Sequence, residues 1–193
     1  EVDLRLIGDE EALEKGRKIT LERFGSYLIS DDESSLEATV VRLLKERGMS
    51  FATAESCTGG LVANRITNVP GASEVFTHGF VTYANAAKTG MLGVSAQDIE
   101  THGAVSEVVA RAMADGALEK SGADIAVSVT GIAGPGGGSE EKPVGTGWIA
   151  VAVRGGQTEA FSVFHPRNRK DFKLAVSQAA LEAVRRRLKA RLS

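Results

Sequence analysis

Apolar positions along the chain recur every two residues in some stretches and every three to four in others, and the alternation of these periods predicts an α/β protein. Val2-Asp3-Leu4-Arg5-Leu6-Ile7 alternates and predicts a strand over Glu1 to Gly8. Glu10 to about Phe24 is charged and periodic, a helix stopped by Gly25. Ser34-Ser35-Leu36-Glu37 fits a capping box, and Leu36, Val40, Leu43 and Leu44 continue at helical spacing up to Gly48. Ser50 to Ala54 is a short strand candidate, Thr58 to Thr67 reads as a helix, and Val69-Pro70-Gly71 as a turn. Gly79 to Tyr83 predicts a strand, and Asn85 then suits the cap of a helix running through Lys88 to about Leu92. Ser106 suits the cap of the next helix, which carries Val108, Val109, Ala112, Met113 and Leu118 before Gly122. Asp124 to Thr130 predicts a buried strand. Thr146 to Val153 and Glu159 to Phe164 predict a hairpin through Gly155-Gly156, and Asn168 to about Leu192 a long final helix.

Helices and strands alternate at first, which gives parallel crossovers, and the late hairpin adds an antiparallel member. The expected fold is therefore a three-layer α/β/α sandwich with a mixed, mostly parallel sheet. The first strand and helix carry too little apolar surface to fold alone. Residues 1–33 are expected to be the remnant of a preceding domain and its linker, and residues 34–193 the domain proper. A first residue of Glu rather than Met suits a piece of a longer protein.

Composition narrows the function classes. Of 193 residues, 42% are hydrophobic and 25% charged, which suits a packed core rather than disorder. A net charge of −2 gives no general basic surface for nucleic acid or an anionic membrane. Arg185, Arg186, Arg187, Lys189 and Arg191 cluster, but at the end of a helix, where cations suit the dipole. A single cysteine, Cys57, excludes an internal disulfide and any multi-cysteine metal site. His78, His102 and His165 have no metal-ligand spacing. Apolar runs fall far short of the roughly 20 residues that span a bilayer, so a cytoplasmic protein is expected.

Three segments pass from a strand end into a loop or helix, where open α/β sheets place ligands. In Thr53-Ala54-Glu55-Ser56-Cys57-Thr58-Gly59-Gly60, Ser56 stands as a candidate nucleophile. The helix start around Thr58, Gly59 and Gly60 would offer free N–H groups to an oxyanion or phosphate. A plain hydroxyl cap at Ser56 or Thr58 fits the same pattern. In Phe80-Val81-Thr82-Tyr83-Ala84-Asn85-Ala86-Ala87-Lys88, Lys88 falls in a first helical turn. The dipole and burial there would lower its pKa toward that of a general base, with Tyr83 as proton partner. A solvated lysine and a packed tyrosine are the alternative. Thr130, Gly131 and Gly134 belong to a glycine-rich loop after a strand that suits an anionic or nucleotide ligand, or a mobile surface loop. It matches neither a Walker motif nor a dinucleotide fingerprint. Arg169 opens the last helix, where a cation is disfavoured unless it binds an anion or an ion-pair partner. Cys57 reads as a small buried hydrophobe and Trp148 as a core residue.

Thr53 to Gly60, Gly79-Phe80-Val81-Thr82-Tyr83, Gly103-Ala104-Val105-Ser106, Thr130 to Gly137 and Lys142-Pro143-Val144-Gly145-Thr146 together resemble the C-terminal domain of the CinA family. The resemblance covers about Ser35 to Arg187 and implies nicotinamide-nucleotide amidase activity. Nicotinamide mononucleotide and water would give nicotinate mononucleotide and ammonia, a pyridine nucleotide salvage step. It further implies Ser56 as nucleophile beside Lys88 and Tyr83, with no metal and no cofactor, and a homodimer. Thr58, Gly59, Gly60, Asn85, Thr130, Gly131, Gly134 and Arg169 are the expected substrate-binding residues. Full-length members carry a further N-terminal domain, so residues 1–32 resemble the end of a middle domain. His78 and Lys173 stand where arginines are common in the family, which weakens phosphate contacts from the last helix. The alternatives are a catalytically silent nucleotide-binding regulatory domain of a larger CinA protein, and an interaction domain in competence or DNA damage.

Overall fold

The computed structural model describes residues 2–190, which divide into two compact units between Ser35 and Leu36. In the first unit, helix α1 (Glu10–Phe24) begins where the Asp9 carboxylate accepts the Ala12 N–H at 2.8 Å, and Glu10 and Glu11 suit its positive end. None of the described residues of this unit is buried. Residues 2–8 form no strand despite their alternation. A strand needs a partner for its backbone groups, and the unit contains no second one.

The second unit is a five-stranded sheet of β1 (Phe51–Glu55), β2 (Phe76–Val81), β3 (Ile125–Gly131), β4 (Thr146–Val153) and β5 (Glu159–Phe164), in the order β2-β1-β3-β4-β5. β1 pairs parallel with both β2 and β3, while β3–β4 and β4–β5 are antiparallel. Only β4 therefore runs against the other strands, and the mixed α/β sheet expected from the pattern is observed. Central β1 is buried throughout, and β3 at every residue but its last. Such strands read as continuous apolar runs because both faces are covered.

Helices α2 (Leu36–Arg47), α3 (Leu61–Thr67) and α7 (Arg169–Lys189) cover one face; α4 (Asn85–Leu92), α5 (Ala96–His102) and α6 (Glu107–Ser121) cover the other. Leu36, Val40, Leu44, Phe172, Val176, Leu181 and Val184 are buried in the first layer. Ala52, Ala54, Leu92, Val109, Met113 and Ala126 form one cluster beneath the second. Each fully buried large side chain contributes about 1.5–3 kcal/mol. At Gly116 of α6, a Cβ would fall 2.0 Å from the Leu92 carbonyl oxygen. Only glycine allows α4 to lie this close, and α4 carries Lys88.

Local departures from the sequence expectations have physical causes. Helix α2 starts at Leu36, so Ser34 precedes the cap position, and the Glu37 carboxylate pairs with Arg65 at 2.9 Å instead of closing a capping box. Helix α5 was not expected; Ser95 caps it by accepting the Asp98 N–H at 3.3 Å, and Gly103 ends it. Ser106 caps α6 as expected, and Asn168, read from the sequence as the start of the last helix, caps α7. The expected end of α7 near Leu192 lies outside the described residues. Trp148 on β4 is partly buried against an alanine cluster of α6 and β4. At the end of α7, Arg185 and Arg186 pair with Glu182 at 2.6 and 2.7 Å, and Arg187 approaches Glu159 at 3.7 Å. No helix among the described residues is long and apolar enough to cross a membrane.

Candidate active site

The carboxyl ends of β1, β2 and β3 meet at one edge of the sheet, and a cavity of about 180 Å3 opens there. Ser56, Tyr83, Asn85, Lys88, Thr130, Gly131 and Arg169 all line it. Four chain segments far apart in sequence thus converge on one hollow. Cys57, Ala104, Val105 and Ala133 complete the lining and were not expected. Ala104 and Val105 arrive because the Thr130 hydroxyl donates to the Ala104 carbonyl at 2.8 Å.

Ser56 follows β1 directly and is 9% exposed. Its backbone is held on both sides: its N–H donates to the Val129 carbonyl at 2.9 Å, and its carbonyl accepts the Gly59 N–H at 3.1 Å. The chain then turns through Gly59 and Gly60, at φ 63° and 92°, values that disfavour any side chain. Helix α3 begins only at Leu61, three residues later than its pattern suggests.

That delay places Glu55 over the helix start. Its carboxylate is fully buried and accepts the Val62 and Ala63 N–H groups at 3.0 and 2.8 Å. Two amides at the helix start are thus occupied from within the fold. Thr58, Gly59, Gly60 and Gly134 do not line the cavity. Thr58 is fully buried, Gly59 and Gly60 face Lys173 and Val81, and the Gly134 carbonyl is held by Arg169. The signal for Glu55 was a carboxylate at a strand end before a glycine turn and a helix without a hydroxyl cap.

Lys88 lies in the first turn of α4 and is 1% exposed. Its Nζ donates to the Thr82 carbonyl at 3.1 Å, the Asn85 Oδ1 at 3.4 Å and the Tyr83 carbonyl at 3.5 Å. Among the described residues no carboxylate pairs with it. Burial therefore lowers its pKa, while the neighbouring Cys57 acts weakly the other way. Burial pushes the Cys57 thiol up to about 12, so it stays protonated and is a poor nucleophile.

Tyr83 stands at the rim, 59% exposed. Arg169 donates to the Tyr83 hydroxyl at 2.5 Å and to the Gly134 carbonyl at 2.9 Å, which ties the rim, the glycine loop and α7 together. Asn85 is the first residue of α4, and Ala84, not Asn85, holds the cap position. His78 stacks on Phe80 along the edge strand and does not line the cavity. Among the described residues no cluster of three or more His, Cys, Asp or Glu could hold a metal ion.

The layers and the strand-end hollow define an α/β domain with a polar cavity at the head of its parallel strands. The model of the CinA C-terminal domain matches residues 33–188, and the chain belongs to the CinA family. A CinA-like protein of Akkermansia muciniphila is 56% identical over 184 residues, 95% of this chain but 44% of that relative. The chain thus spans less than half the length of that curated relative. The crystal structure of a competence/damage inducible protein from Agrobacterium tumefaciens matches at TM-score 0.74 and 44% identity, covering 78% of this chain and 94% of that one. That of a competence-damaged protein (CinA) superfamily protein from Klebsiella pneumoniae matches at TM-score 0.76 and 35% identity, covering 79% and 95%.

Proposed function

We propose that the domain is an amidohydrolase that converts nicotinamide mononucleotide to nicotinate mononucleotide and ammonia, with Ser56 as nucleophile and Lys88 as base. The observation that carries the reading is a buried lysine without a carboxylate partner, lining one cavity with a serine held by its backbone. A neutral amine has two hydrogens and one lone pair. Three oxygens face Nζ, the Thr82 and Tyr83 carbonyls and Asn85 Oδ1; in the neutral amine two of them receive hydrogens, and the lone pair can serve the Ser56 hydroxyl across the cavity that both residues line. Such a pair supports acyl transfer wherever the amine is neutral, a condition that burial shifts to lower pH.

In this mechanism Ser56 Oγ attacks the carboxamide carbon as Lys88 takes its proton. The tetrahedral intermediate expels ammonia, which leaves with a proton from Lys88 or Tyr83. Water then cleaves the acyl-enzyme by the reverse use of the same groups. The cavity is smaller than the roughly 300–1,000 Å3 that encloses a drug-sized ligand. It suits the pyridine ring, with ribose and phosphate over the mouth near Arg169. Pairing of two copies belongs to the same proposal and is read by sedimentation.

The test is incubation with nicotinamide mononucleotide while ammonia and nicotinate mononucleotide are followed. The native protein should release both, and Ser56→Ala should lose at least on the order of 10⁴-fold in rate with unchanged unfolding temperature. Full turnover by Ser56→Ala would remove the serine from the mechanism.

A further inference from the structure

We infer that the side-chain amide of Asn85 is the oxyanion donor of this reaction; the inference rests on the amidase reading. A carboxamide attacked by Ser56 transfers the electron pair of its C=O π bond onto oxygen, and that charge needs a preorganised donor. The start of α3 does not provide one. Its Val62 and Ala63 N–H groups are held by Glu55, the Gly59 N–H by the Ser56 carbonyl, and Thr58, Gly59 and Gly60 lie off the cavity. The Thr130 hydroxyl is spent on the Ala104 carbonyl.

Asn85 differs from all of these. An asparagine at a helix start ordinarily caps it with its side chain, but here Ala84 holds the cap position and Asn85 follows it. The carboxamide oxygen of Asn85 accepts from Lys88 Nζ at 3.4 Å. Lys88 otherwise faces only carbonyl oxygens, so it presents hydrogens to Asn85, and this fixes which end of the amide faces it. The two Nδ2 hydrogens have no protein partner among the described residues, and Asn85 lines the cavity.

This arrangement couples the base to the donor. As Ser56 gives its proton to Lys88, the amine becomes an ammonium and its bond to Asn85 Oδ1 strengthens. The Asn85 amide is polarised, and its Nδ2–H becomes a better donor as the negative oxygen forms. When the C=O bond reforms and the C–N bond breaks, Lys88 returns the proton to the departing ammonia. The donor weakens again in the same step.

Ammonia release by the native protein, Asn85→Ala and Asn85→Asp, measured from pH 6 to 10 with unfolding temperatures, tests the assignment. Asn85→Ala should lose roughly 10²–10³-fold in kcat, with KM within a few-fold and the pH profile displaced to lower pH, because the Lys88 ammonium loses an acceptor. Asn85→Asp should lose more and shift its profile to higher pH, because its carboxylate holds Lys88 protonated. An active native protein whose Asn85→Ala variant keeps kcat within threefold overturns the assignment alone. So does an Asn85→Ala loss that disappears at any pH within that range, which would mean that Asn85 acts only through the titration of Lys88. A native protein that releases no ammonia overturns the amidase reading, and the assignment with it.

Discussion

The two ends of the sheet solve the same electrostatic problem in opposite ways. At the amino ends of β1 and β3, Asp124 accepts the Ser50 N–H at 2.8 Å and its hydroxyl at 2.6 Å, with Arg154 at 3.3 Å. Arg154 also donates to the Gly122 and Ala123 carbonyls. The depression they line, about 360 Å3, is twice the volume of the cavity at the other end. Yet the opposite charges there neutralise one another, and hydrogen bonds from Ser50, then Arg154, hold the Asp124 carboxyl below the usual range. At the carboxyl ends, Lys88 is buried with carbonyls alone. The size of a hollow does not single out the candidate site; a buried amine without a counter-charge, lining the smaller one, does.

The largest expected effect breaks the carboxyl end. Lys88→Met should lower kcat by about 10³-fold or more, while raising the unfolding temperature, because the fold no longer buries an amine. The native protein should carry the matching pH signature. With the folded-state pKa of Lys88 lowered, the unfolded chain binds more protons between the two pKa values. Stability should therefore rise with pH across that window, and the rate of the proposed reaction should rise through the lowered folded-state value. Denaturant titrations at several pH values check the first, pH–rate profiles the second. Lys88→Met should flatten the stability term.

Glu55→Ala comes next. It leaves two buried N–H groups unsatisfied and should cost about 2–3 kcal/mol in urea unfolding. Asp124→Ala sharpens the comparison from the other end. It should cost about 1 kcal/mol or less, since the group is partly exposed, with kcat unchanged. The Asp124 contribution is present above the unfolded carboxylate pKa and is lost as pH falls through the lowered folded value. A kcat loss in Asp124→Ala would break the division between the ends. The smallest effect is expected of Cys57→Ala, within about threefold in rate, because its thiol does not ionise below about 12. An inactive variant would make the cysteine the nucleophile.

How much of this was legible in the chain differs element by element. The hairpin of β4 and β5 was readable to the residue, since alternation and Gly155-Gly156 are both local signals. The convergence of Ser56, Lys88, Tyr83, Thr130 and Arg169 was also readable, because strand ends in an α/β fold gather at one edge. What failed was local alternation without a partner at 2–8, and the start of α3. There a tertiary contact from Glu55 overrides the plain reading of Thr58-Gly59-Gly60. Such a contact leaves no periodicity behind. The same limit applies to Asn85, whose amide turns from the helix to Lys88.

The carboxylate of Glu55 has one more consequence. It is tied by its own backbone within reach of the α3 amides, so its effective concentration there far exceeds that of any free anion. Phosphate or sulfate from solution cannot displace it at millimolar levels. Inhibition of the protein by simple inorganic anions should accordingly be weak, and what little appears should depend on Arg169 at the rim rather than on α3.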